Sequence, residues 1–113
     1  MLKIKVKIWL DENNKIVIGE GVLKLLQAID QTGSINQASE KLRMSYRRAW
    51  EKIHLAEERL GKDLVVTQAG GVHGGGSSLT QTAKDFLRAF AELENDVTDY
   101  ASERYNELFA KLQ

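Results

Sequence analysis

Residues 33–61 read GSINQASEKLRMSYRRAWEKIHLAEERLG, and this stretch decides the fold. Ser34 is a residue type that caps helix N-termini. Gln37, three positions on, has the spacing of a capping box, in which it reaches back to the cap amide. Ile35, Ala38 and Leu42 then share one side of a short helix. Arg43-Met44 is a brief connection, and Ser45 is a second N-cap candidate. From Tyr46 onward, Ala49, Ile53, Ala56 and Leu60 recur at helical spacing, and Gly61 ends the run. If that stripe is buried, Tyr46, Arg47 and Glu51 point to the opposite or flanking faces. Arg48 and Lys52 share a flank.

The flanks of this stretch are equally patterned. Residues 2–10 alternate, with Leu2, Ile4, Val6, Ile8 and Leu10 on one side and Lys3, Lys5, Lys7 and Trp9 on the other. Period two predicts a half-buried strand. The turn-forming run 11–15 and a short return strand, Ile16-Val17-Ile18, complete a hairpin. Val22, Leu25, Leu26 and Ile29 predict a helix over 21–31, stopped at Gly33. Downstream, 64–67 reads as a strand, 69–77 as a glycine-rich loop, and Ser78-Leu79 as the candidate return strand. Thr80 or Thr82 caps a long last helix. Its apolar stripe is Phe86, Phe90, Leu93, Val97, Ala101, Tyr105, Leu108 and Leu112.

Two short helices joined by a few residues, the second carrying a basic cluster, form a helix-turn-helix layout. In that layout the second helix enters the major groove of DNA. A strand, a glycine-rich loop and a return strand directly afterwards add a wing. The expected fold is α+β, mostly α: a winged helix-turn-helix with an N-terminal β-hairpin and a long C-terminal dimerisation helix. One domain is expected over 1–113, divided into a hairpin (1–18), the helix-turn-helix and wing (19–80) and the last helix (80–113).

Charge patterning agrees with a polyanion partner on one side only. The chain is neutral overall, with 16 basic and 16 acidic residues. Residues 1–62 nevertheless hold 12 Lys/Arg against 8 Asp/Glu, and residues 63–113 hold 4 against 8. The basic residues concentrate at Lys41, Arg43, Arg47, Arg48 and Lys52. DNA would be drawn to this part and repelled by the acidic last helix.

Several function classes are excluded. The chain has no cysteine, so disulfides, thiolate metal sites and cysteine nucleophiles are absent. His73 has no second histidine, cysteine or carboxylate near it at metal-ligand spacing, and His54 lies on a helix flank, so a metal site is not expected. The segment from Gly71 to Ser78 has glycines spaced as in a phosphate loop, but Ser77 stands where the lysine is needed. No triad or carboxylate pair is suggested. The expectation is a non-enzymatic protein with no cofactor, no metal and no membrane contact, located in the cytoplasm with the nucleoid.

The sequence resembles the helix-turn-helix of ModE-type, molybdenum-responsive regulators. The residues that carry this are Gly33-Ser34-Ile35, Met44-Ser45-Tyr46 with Ala49-Trp50, Leu60-Gly61, and Gly70-Gly71 with Gly74-Gly75-Gly76 before Leu79-Thr80. More distantly it is similar to LysR-type regulators. The resemblance covers about residues 15–95. It implies a homodimeric transcriptional regulator that binds duplex DNA. The members' C-terminal molybdate-binding domains have no counterpart in these 113 residues, so no effector is implied. Val72-His73 stands where the family's wing often has a lysine, and Ala83 replaces a common glycine.

The expected DNA-contacting residues are Ser34, Asn36, Ser45, Tyr46, Arg47, Arg48, Lys52, His73 and Gly74. Arg47 suits a base edge, and Arg48 and Lys52 suit phosphate. For Ser34 a cap alone is an equal reading; for Ser45 a cap alone is the alternative to DNA contact. Trp50 is expected to pack against the wing or the first helix. A homodimer is expected to form through the last helix, whose length exceeds what the rest of the chain can cover. The competing reading is a protein-interaction module on a degenerate winged helix without DNA binding.

Overall fold

The computed structural model describes residues 2–71 and 74–112. Its elements run β1 (Leu10–Glu12), β2 (Lys15–Ile18), α1 (Glu20–Thr32), α2 (Ile35–Lys41), α3 (Tyr46–Leu60), β3 (Val65–Gly71), β4 (Gly74–Leu79) and α4 (Gln81–Phe109), with a closing 3-10 turn at Ala110–Leu112. Each strand pair is antiparallel and stands as its own two-stranded sheet.

The N-terminal hairpin is shorter than the alternation predicts. Only Leu10–Glu12 pair with β2, and residues 2–9 form no strand. The physical reason is the return strand. Four residues of β2 offer backbone partners to β1 alone, and alternation without a partner makes no ladder. Leu2 is therefore 68% exposed, whereas Ile8 packs against the cluster of Val17, Ile18 and Phe90. Asn13 and Asn14 form the two-residue turn with φ of 51° and 65°, a conformation that asparagine tolerates.

The main core joins α1, α2, α3 and the base of the wing. Leu25, Leu26 and Ile29 of α1 meet Ile35 and Ala38 of α2, Ala49, Ile53 and Ala56 of α3, and Leu64, Leu79 and Ala83. These are the helical stripes read from the sequence, each turned inward. Gly33 ends α1 at φ 71° with its amide on the Ile29 carbonyl at 2.7 Å, and Gly61 ends α3 likewise. Gly33 also receives the wing. Its carbonyl accepts from the Ser77 amide at 2.8 Å, and a Cβ on Gly76 would stand 3.3 Å from the same oxygen. Glycine at 76 lets β4 lie against the α1–α2 turn.

The wing itself is more regular than a glycine-rich loop. β3 and β4 pair from Val65↔Leu79 to Gln68↔Gly76, and again at Gly71↔Gly74 after a register shift. A ladder needs backbone groups only, so glycine does not stop it. The wing is anchored to α3 by one carboxylate. Glu57 accepts from the amides of Leu64 at 2.8 Å and Val65 at 3.2 Å. Glu57→Ala would strand both donors, and each half-buried amide left unpaired costs about 1–3 kcal/mol. Urea denaturation should show that loss, and Glu57→Gln, which keeps one acceptor, should recover part of it. Equal midpoints for wild type and Glu57→Ala would refute the anchor.

Thr80, not Thr82, caps α4. Its Oγ1 accepts from the Ala83 amide at 3.2 Å and donates to the Asp63 carbonyl at 2.8 Å, so the cap also closes the wing. α4 has 29 residues, a rod of about 44 Å at 1.5 Å per residue. Only its first turns are covered: Ala83 and Phe90 are buried, with Phe86 and Leu87 against the cores. Beyond Phe90 the helix carries exposed Leu93, Tyr100, Leu108 and Phe109. The described molecule measures 63 × 31 × 22 Å.

Candidate nucleic-acid interface

α2 and α3 meet through a turn that the sequence closes without glycine. The Met44 amide donates to the Ser39 carbonyl at 3.0 Å, and the Arg43 amide donates to the Glu40 carbonyl at 3.1 Å. This is a Schellman pattern with Arg43 at the left-handed position, φ 57°. Met44 beyond it packs on the core, the contact that usually accompanies the motif. The Ser39 hydroxyl, 1% exposed, donates to the Asn36 carbonyl at 2.7 Å and leaves no buried polar atom unpaired there. A left-handed non-glycine residue costs about 1 kcal/mol. Arg43→Gly should therefore raise the thermal midpoint, by about 4–8 °C for a domain near 100 residues. Scanning calorimetry checks this; a lowered midpoint would mean that the arginine side chain stabilises the turn.

The two helix starts are both capped as the sequence predicts. Ser34 Oγ accepts from the Gln37 amide at 3.1 Å, and Ser45 Oγ accepts from the Arg48 amide at 3.1 Å. The reciprocal half of the first capping box is replaced. The Ser34 amide donates to Thr32 Oγ1 at 3.3 Å, so Thr32 takes the place assigned to Gln37. Its hydroxyl is already held beside Ser34 by the tight turn at Gly33, nearer than a side chain a helical turn ahead.

The exposed surface of α3 follows from its buried stripe. With Ala49, Ile53 and Ala56 inward, Tyr46, Arg47 and Arg48 stand exposed at the first turn. The Arg47 side chain is 89% exposed, and its Nε donates to Glu51 Oε1 at 3.1 Å. The Arg48 guanidinium has no partner among the described residues. Asn36 is exposed on the first turn of α2. Ser34 lies beside Gly33, where β4 is hydrogen-bonded, so the α2 cap and the wing base adjoin.

Two residues are placed differently from the rest of the set. Lys52 is half-buried, and its Nζ lies 3.6 Å from where a Gly21 Cβ would stand, over the first turn of α1. Trp50 does not fill a gap against the wing. It is 43% exposed, with its ring stacked on His54 at 3.6 Å between centroids. The i, i+4 spacing already provides the ring with a neighbour on its own helix. Gly74 opens β4 opposite Gly71, and His73 lies outside the described residues. The sequence reading missed Arg59, whose guanidinium donates to the Ile16 carbonyl at 2.7 Å and ties the hairpin to the end of α3. Such a contact, between residues 43 apart, has no local signature.

Among the described residues, no group of His, Asp and Glu could hold a metal ion, and no helix is long and apolar enough to cross a membrane.

The family described as "Bacterial regulatory helix-turn-helix protein, lysR family" matches residues 21–84, from α1 through the wing to the start of α4. The chain belongs to that family. Its relatives include the molybdenum transport protein ModE of Azotobacter vinelandii, 34% identical over 88% of this chain and 38% of the relative. The molybdenum transport protein ModE of Herbaspirillum seropedicae is 41% identical over 62% of this chain and 26% of the relative. The chain thus spans roughly a third of the curated relatives it matches. Among solved structures, this family member resembles the CbnR_DBD–DNA complex, with TM-score 0.53 and 22% identity over 82% of this chain and 97% of that one. It also resembles the BenM_DBD/benA site 1 DNA complex, with TM-score 0.54 and 21% identity over 76% and 91%. Both likenesses agree with the winged-helix fold.

Proposed function

We propose that the chain binds duplex DNA sequence-specifically as a homodimer and regulates transcription, with α3 in the major groove and the wing on the backbone. The observation that carries this is the first turn of α3. Ser45 Oγ accepts at the cap and keeps its own hydrogen for a phosphate, while Tyr46, Arg47 and Arg48 are exposed on a helix whose other face is fixed in the core. A rigid helix presenting arginine at its N-terminal turn is what base-edge reading requires. Arg47 reads the base, Arg48 holds phosphate, and Ser34, Asn36 and Gly74 lie along the backbone path. His73 of the wing joins that path in the same reading. The family match to bacterial regulatory helix-turn-helix proteins and the two structures solved with DNA support the assignment.

Selection of bound fragments from random duplex DNA tests it. A palindromic enriched site is expected, with half-sites about one helical turn apart. Recovery of no enriched sequence would favour a protein-interaction module on the same fold. The Arg47–Glu51 pair and the zero net charge are what speak for that second reading.

Dimerisation is assigned to α4. Leu93, Val97, Ala101, Tyr105 and Leu108 continue the stripe past the last residue its own core covers, and a second copy supplies the same stripe in return. Sedimentation at about 100 μM should show a dimer; with the surface apolar patch uncovered, a monomer would be poorly soluble. Truncation after Ala91 should leave a folded, weakly associating domain. A monomeric intact chain at that concentration would end the dimer reading.

A further inference from the structure

We propose that the cleft between the β1–β2 hairpin, the first turn of α1 and the middle of α3 binds a small aromatic anion. The ligand class is a flat apolar body with one carboxylate, sulfonate or phosphate group. The cleft has a volume of about 570 Å³, within the range of small-molecule sites. Its cations are Lys7, Lys24 and Lys52, and its acid is Glu20. Lys24 is already paired with Glu20 at 2.9 Å, and that carboxylate is held below its ordinary range mainly by this partner. Lys7 also acts on the Glu20 carboxylate at longer range. Three lysines against one carboxylate leave the cleft with an excess of positive charge, to which Lys52 contributes from the α3 side.

The apolar part is equally specific. Trp9 and Ile16 line the cleft from the hairpin and are 48% and 52% exposed, with Ile8 and Val22 beside them. A half-exposed indole rimmed by lysines suits a stacked ring with an acidic substituent better than a bare phosphate. Two glycines line the cleft, so a larger side chain at either would occupy its space. A Cβ on Gly19 would meet Ile16 Cγ2 at 3.5 Å and Trp9 Cβ at 3.7 Å, and a side chain on Gly21 would run at Lys52 Nζ. Lys52 also shares a flank of α3 with Arg48, so an occupant would mask a cation beside the DNA surface. That coupling rests on the DNA-binding reading; binding in the cleft does not.

The test uses the whole chain and anilinonaphthalene sulfonate as the probe. A saturable fluorescence rise is expected. The double variant Lys7→Ala/Lys52→Ala should bind roughly tenfold or more weakly, because charge-assisted contacts are lost. Gly21→Leu should remain folded by circular dichroism, since leucine favours helix over glycine, yet lose the probe. The neutral analogue phenylnaphthylamine should bind far more weakly. The proposal is overturned if wild type shows no saturation, if Gly21→Leu binds as wild type does, or if the neutral analogue matches the anion. In a DNA titration the probe should weaken wild type but not Gly21→Leu. Absence of that effect, with the probe bound and DNA binding intact, removes the coupling. Absence of DNA binding in every variant removes the earlier functional reading and leaves the probe titration decisive.

Discussion

Ile53→Ala should destabilise the chain by about 2–5 kcal/mol, the range for deleting a large aliphatic side chain from a packed core. Ile53 is fully buried at the centre of α3, where α1, α2 and the base of the wing converge. Two terms add: the lost transfer free energy of its methylenes, and the cavity left between helices that are held elsewhere by Leu26, Ile29 and Ala38. Alanine's better helix propensity offsets only a few tenths of a kcal/mol. Natural domains hold about 5–15 kcal/mol in total, so a large part of the stability rests on this one side chain. Ile53→Val should cost about 0.5–1.5 kcal/mol. Urea titrations followed by circular dichroism measure both. If Ile53→Ala stays within about 0.5 kcal/mol of wild type, as surface substitutions do, α3 is not seated as described. The functional point is orientation. The same burial that fixes Ile53 turns Arg47 and Arg48 outward.

That link explains which parts of the structure were legible in the sequence. The stripes Leu25-Leu26-Ile29 and Ala49-Ile53-Ala56 are local repeats, and burial turned each inward. Ser34, Ser45 and Thr80 act within three residues of the amides they cap, so their roles were also local. The misses are non-local. Residues 2–9 have a strand's alternation but no strand to pair with, and alternation does not report a partner. The glycines of β3 and β4 suggested a loop, because nothing in 69–77 announces that backbone pairing continues through them. Thr32 displaced Gln37 at the Ser34 amide because the Gly33 turn brought its hydroxyl there first. Lys52 shares a flank with Arg48 on a helical wheel, yet its amine reaches over Gly21, a neighbour only the tertiary fold supplies. The site residues on the first turn of α3 were legible because a capped helix with a known inward face leaves little choice of outward ones.

The two arginines of that turn should separate in their effects on DNA. They are about 100° apart on the helix. In the proposed reading a dimer offering Arg47 and Arg48 twice would engage about four anionic or base-edge positions, so affinity should fall with salt at a log–log slope of about −2 to −4. Arg48, whose guanidinium is unengaged among the described residues, is the phosphate contact in that reading. Arg48→Ala should weaken binding to all sequences alike and flatten the slope by about 2 for the dimer. Arg47 must first leave Glu51, and its side chain is 89% exposed. A surface pair of that kind contributes about 0–1 kcal/mol, less than the about 1–3 kcal/mol of a bidentate base contact. The base contact therefore wins, and Glu51→Ala should tighten binding slightly. Arg47→Ala should cost about 1–3 kcal/mol at each half-site and relax the base preference at one position there. Filter binding over a salt series, repeated on half-site variants, separates the two. If both alanine variants keep the wild-type affinity, slope and preference, α3 is not the reading element, and the exposed arginines serve a protein partner instead.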